Sequence, residues 1–343
     1  MRFPKQFFFG LIFIAGATLL TLAAGEGIIR IISSVHLIYN IEMVKYAREL
    51  KMRDPKGEVS HVHRPSAHAR LMGVDISLNS LGQRGPERSP EKPSSTKRIL
   101  VFGSSITMGW GVPYEKVFTS VAEERLNREK PFGNGPVFEI ENAGIGNYNT
   151  HFQYKLFQNQ YPVVKPDMVV LHYFISDVQP RSMGRNNLLL KHSCLAAFFF
   201  DRWSQLRLRM TGNFKDLFAF YNDLYRDDSK AWADTRREIG EMRDIAARDK
   251  VPFVIMIIPD IHDLSPGSPY GPLYQKMETA FRAMDIPTVN TFDEFRQQFG
   301  NDVSRLWIQS DDPHPNAGGH ALMADILYRY LAGQDPMRLR SGS

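Results

Sequence analysis

The chain has one cysteine, Cys194. No intramolecular disulfide can form, and cysteine usage leaves the redox compartment open. No Cys/His spacing of a zinc site is present, and no recognition motif for nucleic acid. The formal charge is +5, with 23% charged residues and no long run of one sign. A mildly basic chain of this kind suits an acidic polymer or an anionic membrane surface at least as well as a nucleic acid. Internal repeats and low-complexity segments are also absent. With 343 residues, 43% of them hydrophobic, the chain is long enough for one sizeable core and a smaller appendage.

The N-terminus carries Arg2 and Lys5, then an uncharged run of 18 residues from Phe7 to Ala24, FFFGLIFIAGATLLTLAA. That is the lower edge of what spans a bilayer. Glu26 and Arg30 interrupt the apolar sequence that follows. A cleaved signal peptide is the rival reading, since Leu22-Ala23-Ala24-Gly25 offers small residues near a cut. A buried helix of a soluble protein is the third. The run exceeds a usual signal core and more apolar sequence follows, so residues 1–35 are expected to be an uncleaved anchor. The Arg2/Lys5 end stays cytoplasmic and the bulk is outside a bacterial inner membrane, in the periplasm.

Residues 36–96 read as a connector: an amphipathic stretch from Val35 to Lys51, then a polar segment with Pro55, Pro65, Pro86, Pro90 and Pro93 that cannot build a core alone. His61, His63 and His68 invite a metal reading, but no carboxylate or fourth ligand is placed to help. A surface loop is the expectation, with no metal and no cofactor.

From residue 97 to 335 the pattern alternates. Apolar runs at 98–103, 137–142, 167–174, 252–259 and 286–291 read as strands. Segments 118–129, 150–161, 231–250, 273–284 and 317–331 read as helices. Such alternation predicts an α/β fold with a parallel five-stranded sheet covered on both faces. Residues 178–230 are too long for a plain crossover. They contain LLLKHSCLAAFFFDRW and FKDLFAFYNDLY, with Arg181, Arg185, Lys191, Arg202, Arg207 and Arg209. A helical insert is expected there, either a cap with its own apolar face or a surface that walls the site or touches membrane or glycan.

Ligand sites in open parallel sheets lie beyond the carboxyl ends of the strands. After the first strand comes Gly103-Ser104-Ser105-Ile106-Thr107-Met108-Gly109-Trp110-Gly111. A tight glycine turn there would present a serine at a helix start, with backbone N–H groups available to an oxyanion. The Lys-Ser/Thr pair of a phosphate loop is missing. After the second strand comes Asn142-Ala143-Gly144, and after the third, Ser176-Asp177. Near the C-terminus, Asp311 stands three residues before His314. A serine hydroxyl needs a base, and the base an orienting acceptor.

These four segments resemble the SGNH/GDSL hydrolase family. Gly103-Ser104-Ser105 resembles its nucleophile block and Gly144 its oxyanion glycine. Phe174-Ile175-Ser176-Asp177 stands where the family has Gly-x-Asn-Asp, and Asp311-Asp312-Pro313-His314 resembles its Asp-x-x-His block. The resemblance implies a flavodoxin-like three-layer α/β/α sandwich. It also implies Ser105 as nucleophile, His314 as base, Asp311 as orienter, and an oxyanion site from the N–H groups of Ser105 and Gly144 with the Ser176 hydroxyl. Two residues depart from the pattern: Ser104 replaces an Asp and Ser176 an Asn. The stretches LNSLGQRGPE, VVLHYFISD and DDPHPNAGGH further resemble membrane-anchored members associated with bacterial exopolysaccharide machinery. The reading is a serine esterase on an acyl, especially acetyl, ester of a polysaccharide or small molecule. An O-acyltransferase to a glycan hydroxyl and a non-catalytic polysaccharide scaffold are the alternatives.

Overall fold

A computed structural model of the chain describes residues 5–181, 192–211, 217–300, 302–309 and 312–334. Two compact units emerge. One comprises residues 1–49 and 185–215, the other residues 50–184 and 216–343.

The larger unit is built on five parallel strands: β1 (Thr96–Gly103), β2 (Val137–Gly144), β3 (Met168–Phe174), β4 (Phe253–Ile258) and β5 (Thr288–Asn290). Their spatial order is β2-β1-β3-β4-β5. This is the flavodoxin-like order, in which the chain reverses direction between β1 and β3 and opens a crevice there. The central strands read as unbroken apolar runs because both faces are covered. Ile99 to Phe102, Val169 to Leu171 and Val254 to Ile258 are all buried.

Helices α4 (Phe118–Glu129) and α11 (Ala317–Ala332) pack on each other, with α4 against β2. Helix α5 (Thr150–Val164) pairs with α8 (Lys230–Arg248), and Trp232 of α8 meets Phe281 of α9 (Tyr270–Arg282). The expected strands and helices all form. Helix α5 runs past its expected end at 161 and through Pro162, closing at Lys165 in the left-handed conformation. A proline two residues before a helix's last residue leaves most of the hydrogen-bond ladder intact.

Residues 50–96 differ from a bare connector. They carry two antiparallel pairs, Lys51–Met52 with Val62–His63 and His68–Leu71 with Val74–Ser77. Their polar groups find partners in the sheet domain: Gln83 Nε2 bonds Gln160 Oε1 at 2.9 Å, and the Arg84 N–H reaches Asn142 O at 3.0 Å. Proline-rich composition excludes a core of its own, but not one shared with a neighbour.

The smaller unit contains α1 (Lys5–Val35), α2 (Tyr39–Glu49) and α6 (Cys194–Thr211). From Phe8 to Val35, α1 is long and apolar enough to cross a membrane. Within residues 178–230 the described part is helical, in α6 and α7 (Leu217–Leu224). Arg185 and Lys191 lie outside the described residues.

Candidate active site

Ser105 opens α3 (Ser105–Met108), one residue after β1 ends. The turn is tight. A Cβ on Gly103 would stand 1.8 Å from Thr107 Oγ1 and 2.9 Å from His172 O, so only glycine fits. Ser104 is extended (φ −101°, ψ −150°) and makes no side-chain cap. The first N–H groups of a helix have no intrahelical acceptor, which leaves the backbone around Ser105 rich in donors.

His314 sits on β7 (Asp312–Pro315), which pairs antiparallel with β6 (Trp307–Gln309). Its Nε2 lies 2.8 Å from Ser105 Oγ, across 209 positions of sequence. On the other edge of the ring, Nδ1 lies 2.5 Å from Asp312 Oδ1. A carboxylate there holds the proton on Nδ1 and leaves Nε2 to accept from the hydroxyl. Asp312 is fully buried. Its Oδ1 also accepts the His314 backbone N–H at 3.1 Å, and its Oδ2 accepts Trp110 Nε1 at 2.9 Å. The carboxylate on the imidazole is therefore that of Asp312, two residues before His314. Asp311, expected in that place, lies outside the described residues. Proline at 313 fixes φ between the pair, and an extended strand with a two-residue spacing brings the carboxylate back to its own histidine.

The β1–α3 turn is held from several sides. Thr107 Oγ1 bonds His172 Nδ1 of β3 at 2.7 Å, and burial pushes that imidazole down to about 3, keeping it neutral. Asn142 Nδ2 donates to Thr107 O at 2.7 Å and to Thr119 Oγ1 at 3.0 Å. Arg84, buried, donates from Nη1 to Met108 O at 2.8 Å and Gly109 O at 2.5 Å, and from Nη2 to Val112 O at 2.6 Å. Burial lowers its guanidinium to about 10, still charged at neutral pH. A cation on the last carbonyls of a short helix meets the negative end of that helix.

Of the expected oxyanion residues, Ser105 is in place at the helix start. Gly144 ends β2 opposite Gly103. A Cβ there would stand 2.3 Å from Met108 N, so glycine lets α3 press on the sheet. Its own N–H donates to Asn142 Oδ1 at 3.1 Å, so here Gly144 serves packing and does not offer that donor outward. Ser176 is half-buried in the turn Ile175–Val178 that follows β3, at the carboxyl edge of the sheet. That turn is anchored by Tyr225 Oη donating to Ile175 O at 2.8 Å and Thr150 Oγ1 donating to Asp177 O at 3.0 Å. Asp177 Oδ2 accepts Gln153 Nε2 at 2.9 Å and the Phe174 N–H at 3.1 Å. Burial pushes its carboxyl up to about 7.

The loop after β2 is gripped from residues 50–96. Gly146 O accepts Lys51 Nζ and His61 Nε2, each at 3.0 Å. Burial lowers the Lys51 ammonium to about 7 and His61 to about 3. His63 bonds Gly82 O at 2.8 Å, and His68 is exposed beside Asp75. The three histidines thus serve separate partners. Among the described residues no three His, Cys, Asp or Glu side chains gather as a metal ion would need.

The sequence pattern does not single out Asp312, Trp110, Arg84 or Asn142 as site residues, and Asp312 stands there only as the neighbour of Asp311. Its signal is the rigid Asp-Pro-His spacing. The same Asp-x-His geometry recurs after β4, where Asp260 Oδ1 accepts the His262 N–H at 2.9 Å and bonds its Nδ1, raising that imidazole's pKa.

No protein-family model matches the chain, and no curated protein does. Among solved structures it is similar to a two-domain esterase (CEX) active on acetylated mannans, at 17% identity and a TM-score of 0.44 over 73% of this chain and 52% of that one. The chain thus spans about half the length of that esterase. It is similar to TesA at 15% identity and a TM-score of 0.43, over 68% of this chain and 98% of that one. It is also similar to a lipolytic protein of the G-D-S-L family from Veillonella parvula, at 12% identity and a TM-score of 0.41, over 69% of this chain and all of that one. Likenesses of this size carry no weight for function, which rests below on the chain's own residues.

Proposed function

We propose that the chain is a membrane-anchored serine esterase in which Ser105 is the nucleophile, His314 the base and Asp312 the group that orients it. The observation that carries this reading is the unbroken relay from Ser105 Oγ through His314 to a buried Asp312 whose two oxygens are both engaged. Ser105 Oγ attacks the ester carbonyl carbon while His314 Nε2 takes its proton. The imidazolium, held by Asp312, returns that proton to the departing alcohol oxygen. Water then repeats the sequence on the acyl-enzyme, releasing the acid. N–H groups at the start of α3, with the Ser176 hydroxyl, face the developing oxyanion. A shorter donor at 176 implies a slow or specialised enzyme.

The acylated-glycan substrate and the link to exopolysaccharide machinery follow from the resemblance of 78–87, 169–177 and 311–320, and the periplasmic placement from Arg2 and Lys5 standing before the apolar run. The apolar reach of α1 supports the anchor.

The test uses the purified full chain in detergent, with small acetyl esters and an acetylated polysaccharide. Ester cleavage should fall by about 10⁴-fold or more in Ser105→Ala and in His314→Ala. A fluorophosphonate should label Ser105 in the parent chain. Equal slow acetate release by parent and variants, with no label, would overturn the reading in favour of a non-catalytic protein. Acyl groups appearing on added glycan, in place of free acid, would mark a transferase using the same residues.

A further inference from the structure

Helix α6 presents a row of uncovered aromatic and aliphatic side chains. Phe199 (61% exposed), Trp203 (66%) and Leu206 (48%) follow one another at spacings of four and three, so they share one face. Among the described residues all three remain exposed. A large apolar stripe left bare in this way marks an interaction surface.

The start of α6 is tied to one place on α1. The Glu26 carboxylate accepts the N–H groups of Cys194 (3.0 Å) and Leu195 (2.9 Å) and the Ser193 hydroxyl (2.8 Å). Arg30 bonds Glu26 at 2.7 Å and reaches His192 O at 3.1 Å. Next to this knot, a Cβ on Gly25 would stand 3.3 Å from the Leu195 side chain, so the glycine lets the two helices meet closely. The charged pair that interrupts the apolar sequence of α1 is thus the fastening point of α6.

The depth of that point follows from helix geometry. The uncharged run from Phe7 to Ala24 has 18 residues. At 1.5 Å per residue it rises about 27 Å, close to the hydrocarbon thickness of a bilayer. Glu26 then falls at the boundary between hydrocarbon and water, where a carboxylate and a guanidinium are tolerated. Aromatic rings, Trp above all, collect at the same level. Arg202, exposed, has its guanidinium 5.2 Å from the Phe198 ring, an arrangement that lets a cation stay in the headgroup layer above apolar neighbours.

We propose that α6 lies in the lipid interface beside the exit of α1 from the membrane, with Phe199, Trp203 and Leu206 inserted among the acyl chains. The proposal rests on α1 being an uncleaved anchor. The bilayer is the occupant because α6 packs against a helix that itself needs lipid around it, and because the Glu26 tie fixes the start of α6 at the interfacial level.

The test uses the full chain in phosphatidylcholine/phosphatidylglycerol vesicles, next to the conservative variant Trp203→Phe. Subtracting the two emission spectra isolates Trp203 from Trp110, Trp232 and Trp307. The expected result is loss of the Trp203 emission when the lipid carries bromine near the top of its acyl chains, and little loss with aqueous acrylamide. Quenching by acrylamide and not by brominated lipid would overturn the proposal. So would protection from both, which would mean that a second copy or another protein covers the face. An alkaline wash of the same vesicles separates the two levels. A chain that stays in the membrane while Trp203 remains in water leaves the anchor standing and removes only the proposal. A chain that washes off removes both.

Discussion

At the scale of the residue, the imidazole of His314 works between two oxygens, Ser105 Oγ on one side and Asp312 Oδ1 on the other. Removing the carboxylate while keeping the shape should leave the ring in the wrong tautomer. Asp312→Asn is therefore expected to lower kcat by about 10⁴-fold. Asp311→Asn is expected to change it by no more than a few-fold, and steady-state ester hydrolysis by the two variants side by side distinguishes them. Trp110→Phe removes the indole donor from the buried Asp312 Oδ2 and should reduce kcat with little effect on KM.

Asp177 gives a pH signature at the same scale. Its folded pKa is raised by burial to about 7, above the ordinary value of 3.8. The folded state therefore holds the proton more tightly than the unfolded chain. Stability is full below the unfolded value, falls as pH rises toward 7, and levels off above it. The loss is on the order of 4 kcal/mol at most. Asp177→Asn removes the titrating group at nearly constant shape. Urea unfolding at pH 5 and pH 7.5 should show a smaller difference in the variant than in the parent chain.

At the scale of the element, α3 is a four-residue helix that cannot stand alone, and its place is set by what presses on it. Gly144→Ala would put a methyl group 2.3 Å from Met108 N, so α3 must move. A displacement of about 1 Å at a nucleophile costs about 100-fold in rate, and that is the expected loss in kcat/KM. Arg84→Ala would strip three carbonyls of their donor at the end of α3. A fall in stability of about 3 kcal/mol or more is expected by chemical unfolding. Arg84→Lys should recover little of it, because one ammonium cannot reproduce a fork directed at Met108, Gly109 and Val112.

The elements were mostly legible in the sequence. Unbroken apolar runs such as Arg98-Ile-Leu-Val-Phe-Gly103 can only be buried strands once helices cover both faces, and the segments between them have helical length. The second half of the site was less legible. Asp311 and Asp312 are indistinguishable by composition, and only the extended backbone of β7 shows that the Asp312 carboxylate reaches the ring. Arg84 looked like one more charge in a polar stretch, because its three carbonyl partners belong to a distant turn.

At the scale of the whole molecule, residues 50–96 fold with the sheet. Lys51 and His61 hold Gly146 O, and Arg84 holds the turn that carries Ser105. A chain beginning at Leu50 should unfold cooperatively, whereas one beginning at residue 97 should lose that cooperativity. Circular dichroism against denaturant measures the difference.

The sequence by itself determined the alternation of strands and helices, the glycine turn that carries Ser105, the histidine near the C-terminus and the apolar reach of the N-terminal helix. Each is a local property, written in spacing, side-chain volume and hydropathy along a few turns of chain. Tertiary structure decided that Asp312 bonds His314, that Gly144 packs α3 and gives its N–H to Asn142, and that Glu26 fastens α6. Those outcomes depend on which buried polar group finds a partner far away in sequence. A hydrogen bond across 209 positions has no local signature.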